Sequence, residues 1–183
     1  MCEGMLGLVG VFVGFGLSFG AQELKKWLQR RTMRKALLAE LKSNLHMLPQ
    51  KRDIINQIIG HLSAGRLMHG DSVRFATSIY DAHYSTLSWR YSEIERSSLH
   101  VIYEYFRTID STLASYSDRV IGSSQSESRD DIIGFETTKM TDIAALLTTT
   151  EKLISEHLSG CPADVLLLAY NYKEIKDAKF QKA

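Results

Sequence analysis

Along the chain the hydropathy pattern changes character three times. Gly4 to Ala21 is a run of 18 residues without a charge, GMLGLVGVFVGFGLSFGA, punctuated by glycine. At about 1.5 Å per residue it is roughly 27 Å long as a helix, close to the roughly 30 Å of a hydrocarbon core, and it predicts one membrane-spanning segment. From Gln22 to Leu48 apolar and basic residues interleave without a breaker. Leu24, Trp27, Arg31, Arg34, Leu38, Leu41, Leu45 and Leu48 step by alternating threes and fours, a heptad seam that is apolar at its far end and carries arginine next to the span. With no breaker between them, span and seam are expected to form one rod.

Pro49 reads as a kink or short break. Beyond it Ile54, Ile55, Ile58, Ile59 and Leu62 continue a helix to a stop at Gly65. A next helix, capped by Asp71 or Ser72, carries Phe75, Ala76, Ile79, Tyr80 and Leu87 on one side. Ser92-x-x-Glu95 is a capping box. It opens a helix whose seam is Leu99, Ile102, Phe106, Ile109, Leu113, Tyr116 and Val120, and which closes at Gly122. The run SSQSESRDD reads as a loop. A helix from about Thr137 to Ser159 follows, burying Met140, Ile143, Leu147, Ile154 and Leu158 and stopped by Gly160 and Pro162. ADVLLLAYNYKEIKDAKF reads as a further helix, with a buried strand over Val165 to Tyr170 as the alternative. The expected class is all-α: an N-terminal transmembrane helix continuous with a long helix, plus a cytoplasmic helical bundle. Residues 1–21 are the transmembrane segment, 22–48 a basic juxtamembrane helix and 49–183 the cytoplasmic domain.

Charge decides the orientation. The net charge is only +1, which disfavours a nucleic-acid protein driven by bulk electrostatics, and no DNA partner is expected. Lys25, Lys26, Arg30, Arg31, Arg34 and Lys35 all follow the span closely, which puts the N-terminus outside and the rest in the cytoplasm, with the basic residues facing anionic lipid. Glu3 precedes the apolar run where a cleaved signal peptide would carry a basic residue, although Ser18-Phe19-Gly20 would serve as a cleavage site. Cys2 and Cys161 have neither disulfide-framework nor zinc spacing.

The glycines have a pattern of their own. On a helix Gly4, Gly7, Gly10, Gly14, Ser18 and Ala21 fall on one stripe about 120° wide. Close backbone approach through small residues drives helix association in lipid, so Gly7, Gly10, Gly14 and Ser18 are the expected contacts of a homo-oligomer. Gly16-x-x-x-Gly20 lies on another face, and two such faces suit a ring.

Catalytic patterns are missing. His100-x-x-x-Glu104 puts an imidazole and a carboxylate one turn apart, but no second pair matches it, so no metal is expected. There is no G-x-S-x-G elbow, and no glycine-rich phosphate loop outside the span. The chain reads as non-enzymatic and without a cofactor. SWRYSEIER is the one aromatic and basic stretch that could stack a base and hold a phosphate, through Arg90, Tyr91 and Arg96. Its alternative reading is a helix junction with aromatic packing.

The order of parts (a glycine-rich span, KKWLQRR, the helix MRKALLAELKSNLHML, then FATSIYDAHYSTL and a heptad-like helix) resembles bacterial single-span membrane proteins with a cytoplasmic helical domain. Some of these look like membrane effectors of antiphage systems, including type III CRISPR loci whose membrane proteins sense cyclic oligoadenylates. The resemblance implies an inner-membrane protein and a signal that includes cyclic nucleotides among its candidates, and it assigns no residues. Two functions compete. In one, an oligomeric effector receives a signal in the cytoplasmic bundle and acts on the membrane. In the other, a tethered interaction module recruits a cytosolic protein partner.

Overall fold

One helix, α1, runs from Cys2 to Ser63. The computed structural model describes residues 2–70, 72–122 and 129–162, with side chains from Ser18 onward, Arg129 excepted. The expectations resting on side chains of 4–17, on the loop core 123–128 and on the segment 163–183 lie outside those described residues. The short helix α2 (Ser78–Leu87) ends in a single 3₁₀ turn (Ser88–Arg90), and two long helices follow, α3 (Glu93–Gly122) and α4 (Arg129–Leu158). No strand occurs among the described residues, and the class is all-α. α4 packs on both α1 and α3, and α2 packs on α1. Among the described residues no helix is long and apolar enough to cross a membrane.

The inner face of α1 follows the same kind of repeat as expected but in another register, with Leu37 and Asn44 where Leu38 and Leu45 were expected. Leu37, Leu41, Asn44, Leu48, Lys51, Ile55, Ile58 and Leu62 step by fours and threes and are each exposed by no more than 2%. Leu41 and Leu48 belong to both rows, Leu38 and Leu45 are half-buried, and Leu24 and Trp27 are exposed. Pro49 does not interrupt the helix. A proline removes one backbone donor, here the partner of the Leu45 carbonyl, and the burial of Leu48 and Lys51 on either side of it holds the turn together. The helix therefore passes from residue 48 to 49 unbroken, and its packed core begins at Leu37. It ends as expected: Gly65 takes φ +69°, its N–H donates to the Leu62 carbonyl, and the Arg66 N–H donates to His61. This Schellman closure favours glycine, the residue without a Cβ penalty in that conformation.

Two boundaries move. α2 starts at Ser78 rather than just after Asp71 or Ser72, so Phe75 and Ala76 sit in an irregular strap, described over 66–70 and 72–77, and not in a helix. Tertiary hydrogen bonds described below hold the strap in place of a helix. The strap lies close on α1 at Gly70, where a Cβ would come within 2.7 Å of Ile58 Cδ1. α4 starts at Arg129 rather than about Thr137. Asp130 and Asp131 occupy its first turn, where carboxylates meet the positive end of the helix, so part of the polar run is helical. α3 follows the pattern: Leu99, Ile102, Phe106, Ile109, Leu113 and Tyr116 are buried and Val120 is half-buried. At its start the Ser92 N–H donates to Glu95 Oε2 at 2.8 Å and the Glu95 N–H to Ser92 Oγ at 3.2 Å, the reciprocal bonds of the capping box.

Candidate functional site

Polar groups gather in two places, one buried and one exposed. The buried group ties the strap and α2 to α1 and α3. Glu40 is 7% exposed. It accepts hydrogen bonds from the N–H groups of Ile79 (2.8 Å) and Tyr80 (3.2 Å) and from the Tyr103 hydroxyl (2.8 Å). Thr77, at the cap position of α2, turns its hydroxyl to Asp81 instead. A carboxylate on α1 thus caps α2 from outside, satisfying its free donors and meeting its dipole. Burial first, and then the hydrogen bond to Glu40, pushes the Tyr103 phenol far above its ordinary value. Burial pushes Tyr80, stacked on Tyr103 at 3.9 Å, up to about 12.

One turn along α1, Asn44 makes a pair of bonds with the backbone of Ala76, at 2.7 and 2.9 Å. Two turns further on comes Lys51, whose ammonium donates to Asp110 Oδ1 at 2.6 Å and Ser72 Oγ at 2.9 Å and lies 4.3 Å from the Phe75 ring centroid. Burial lowers the Lys51 ammonium and the Asp110 carboxylate opposes that shift. The other Asp110 oxygen accepts the Phe75 N–H at 2.8 Å. Tyr116 and Ser117 donate to the carbonyls of Met68 and Gly70, both at 2.7 Å. The backbone of the strap satisfies these side chains and they satisfy it, which is structural rather than chemical work. A groove of about 300 Å³ opens beside it, lined among others by His69, Arg74, Asp110 and Asp118. Its charges are of both signs, a poor match for a polyanion.

The exposed group is basic and aromatic. Trp89, 57% exposed, has the Arg30 guanidinium 5.1 Å from its ring centroid and that of Arg90 at 4.8 Å. Arg31 lies 5.6 Å from the Trp27 ring and Arg34 5.5 Å from the Tyr91 ring. None of these four arginines is in an ion pair among the described residues, whereas Lys26 pairs with Glu23. Lys25 and Lys35 are exposed on the same stretch of α1, as is Ser18 at its start. A shallow apolar groove lined by Ala21, Leu24, Leu28, Thr32 and Met33 runs along another face of α1.

Of the three residues proposed to hold a ligand, Arg90 and Arg96 are exposed, but Tyr91 is 6% exposed and belongs to the core, so its ring is not offered to a base. The packing reading of this segment fits Tyr91 better. Burial raises its phenol, partly offset by Arg34. Close by, burial lowers the His157 imidazole, with Glu95 opposing and Arg34 reinforcing, which leaves it neutral at pH 7. His100 is exposed and shares a 3.2 Å hydrogen bond with the Tyr80 hydroxyl. No group of three or more potential metal ligands occurs among the described residues.

Sequence reasoning missed Glu40, Asn44, Lys51 and Asp110. Asn44 and Lys51 carry a signal, since both stand at core spacing between leucines and isoleucines. Comparison with family models, curated proteins and solved structures finds no match to this chain.

Proposed function

We propose that the chain is a non-enzymatic, oligomeric effector of the bacterial inner membrane, anchored by residues 4–21 with the bundle in the cytoplasm, and that it serves antiphage defence. The observation that carries this reading is the continuity of α1: the helix that contains the glycine-rich run also supplies Leu37 to Leu62 to the core of the bundle. A helix without a break couples the two ends mechanically, because a shift of the bundle against α1 must move or turn the segment beyond it. Its faces also support the reading. At 100° per residue the Gly7, Gly10, Gly14 and Ser18 stripe continues into Ala21, Leu28 and Thr32, about 135° from the row that meets the bundle. At Ser18, Ala21, Leu28 and Thr32 this face is exposed, which suits contact with a second copy.

The test is crosslinking of the full chain in membranes beside dye release from liposomes, with and without cyclic oligoadenylate. Gly10→Leu with Gly14→Leu keeps the span apolar but holds backbones apart, so crosslinking and release should both fall several-fold. The same change at Val11 and Val13 should matter less. Equal crosslinking in wild type and the Gly10, Gly14 variant would rule out the stripe as a contact. Loss of crosslinking with retained function would favour the tethered module that recruits a cytosolic partner.

A further inference from the structure

The last turn before α3 has no part in the core, yet it carries the largest exposed aromatic of the bundle. Trp89 is 57% exposed, with Arg30 of α1 and Arg90 of its own turn both over its ring. A tryptophan with an apolar body and a polar N–H favours the boundary between hydrocarbon and water. Arginines beside its ring with no ion pair among the described residues suit phosphate oxygens through planar paired donors. Position along α1 agrees. Leu24 and Leu28 are 58% and 50% exposed and extend the apolar surface past Ala21. Arg30 is two residues beyond Leu28 and six beyond Leu24, about 3 and 9 Å along the axis, which brackets an interfacial layer of roughly 5–7 Å.

We infer that the Trp89–Arg90 turn is a second membrane contact, seated in the headgroup layer of an anionic bilayer, with Arg30 and Arg90 on lipid phosphates. The inference rests on the anchoring of residues 4–21. It gives the bundle a fixed bearing on the bilayer: α2 and the start of α3 lie against the surface rather than hanging from a free tether. Arg90 then has a role that needs no nucleotide.

The chain has two tryptophans, Trp27 and Trp89, so Trp27→Phe isolates the turn and Trp89→Phe isolates the rod. Each full-length variant is placed in nanodiscs containing phosphatidylglycerol and phosphatidylcholine, with and without bromine at the top of the acyl chains. Both tryptophans should be quenched. In the Trp27→Phe background, Arg30→Gln with Arg90→Gln, or nanodiscs of phosphatidylcholine alone, should reduce the quenching of Trp89 at least twofold. Quenched Trp27 with unquenched Trp89 would overturn the inference and leave the anchor intact. A change in Trp89 emission with an oligonucleotide but not with brominated lipid would give the surface to nucleic acid and likewise overturn it. If neither tryptophan is quenched, the anchoring itself fails.

Discussion

Asp110→Ala should lower the stability of the folded chain by about 3–5 kcal/mol, the usual cost of stranding one partner of a buried ion pair. For a domain of this size that corresponds to a fall of roughly 6–20 °C in melting temperature. The Lys51 side chain is 2% exposed and the strongest partner of its ammonium is the Asp110 carboxylate; Ser72 remains, but a hydroxyl does not neutralise a charge. The same substitution leaves the Phe75 N–H without its acceptor. A compensating change distinguishes the stranded charge from simple loss of packing. Lys51→Met removes the ammonium and keeps an unbranched apolar stem against Phe75, so Lys51→Met with Asp110→Ala should be more stable than Asp110→Ala alone. A double variant as unstable as the sum of the two singles would mean that the pair is not coupled.

Phe106→Ala should cost about as much, roughly 3–5 kcal/mol, for a different reason: a large cavity. Phe106 is fully buried, stacks on Phe75 at 4.3 Å and meets the Tyr103 edge at 5.4 Å. The void would open beneath the strap, so the loss extends to the strap itself and through Tyr103 to the Glu40 cap of α2. Phe106→Leu, which keeps most of the volume, should lose much less. Thermal or urea unfolding of the full chain reads both, and an unchanged midpoint in Phe106→Ala would remove this residue from the core.

These two residues mark how much of the fold was legible. Phe106 was visible in the sequence because α3 buries one regular face from Leu99 to Tyr116, and a capping box announces its start. Asp110 was not. It lies in α3 at the flank of the apolar seam, about 70° around the helix from its centre, and acts on groups 59 and 35 residues away, Lys51 and Phe75. Helical periodicity reports which side of a helix is apolar; it cannot report which distant backbone a polar side chain will pin. For the same reason residues 73–77 read as the start of a helix: the local sequence permits one, and Asn44 and Asp110 impose another path. The early start of α4 was hidden by composition, since Arg129, Asp130 and Asp131 are polar enough for a loop yet well placed for a first turn. At Pro49 the short break does not occur, because the cost of a proline is local while the packing that offsets it is not. At the exposed belt the sequence gathered Arg90, Tyr91 and Arg96 by proximity. The structure separates them, with Tyr91 in the core, and brings Arg30 to Trp89 across 59 positions. Cation–π partners on different elements leave no spacing to read.

The account depends most on the first 21 residues, which the effector reading makes the anchor of everything that follows. The direct measurement is sedimentation of the full chain after cell lysis, with an alkaline wash of the membrane pellet, beside a variant lacking residues 1–21. The full chain should stay in the washed pellet and the shortened chain should move to the supernatant while keeping its helical circular dichroism. Full-length protein in the supernatant of the first high-speed spin would contradict the anchor, and with it the effector.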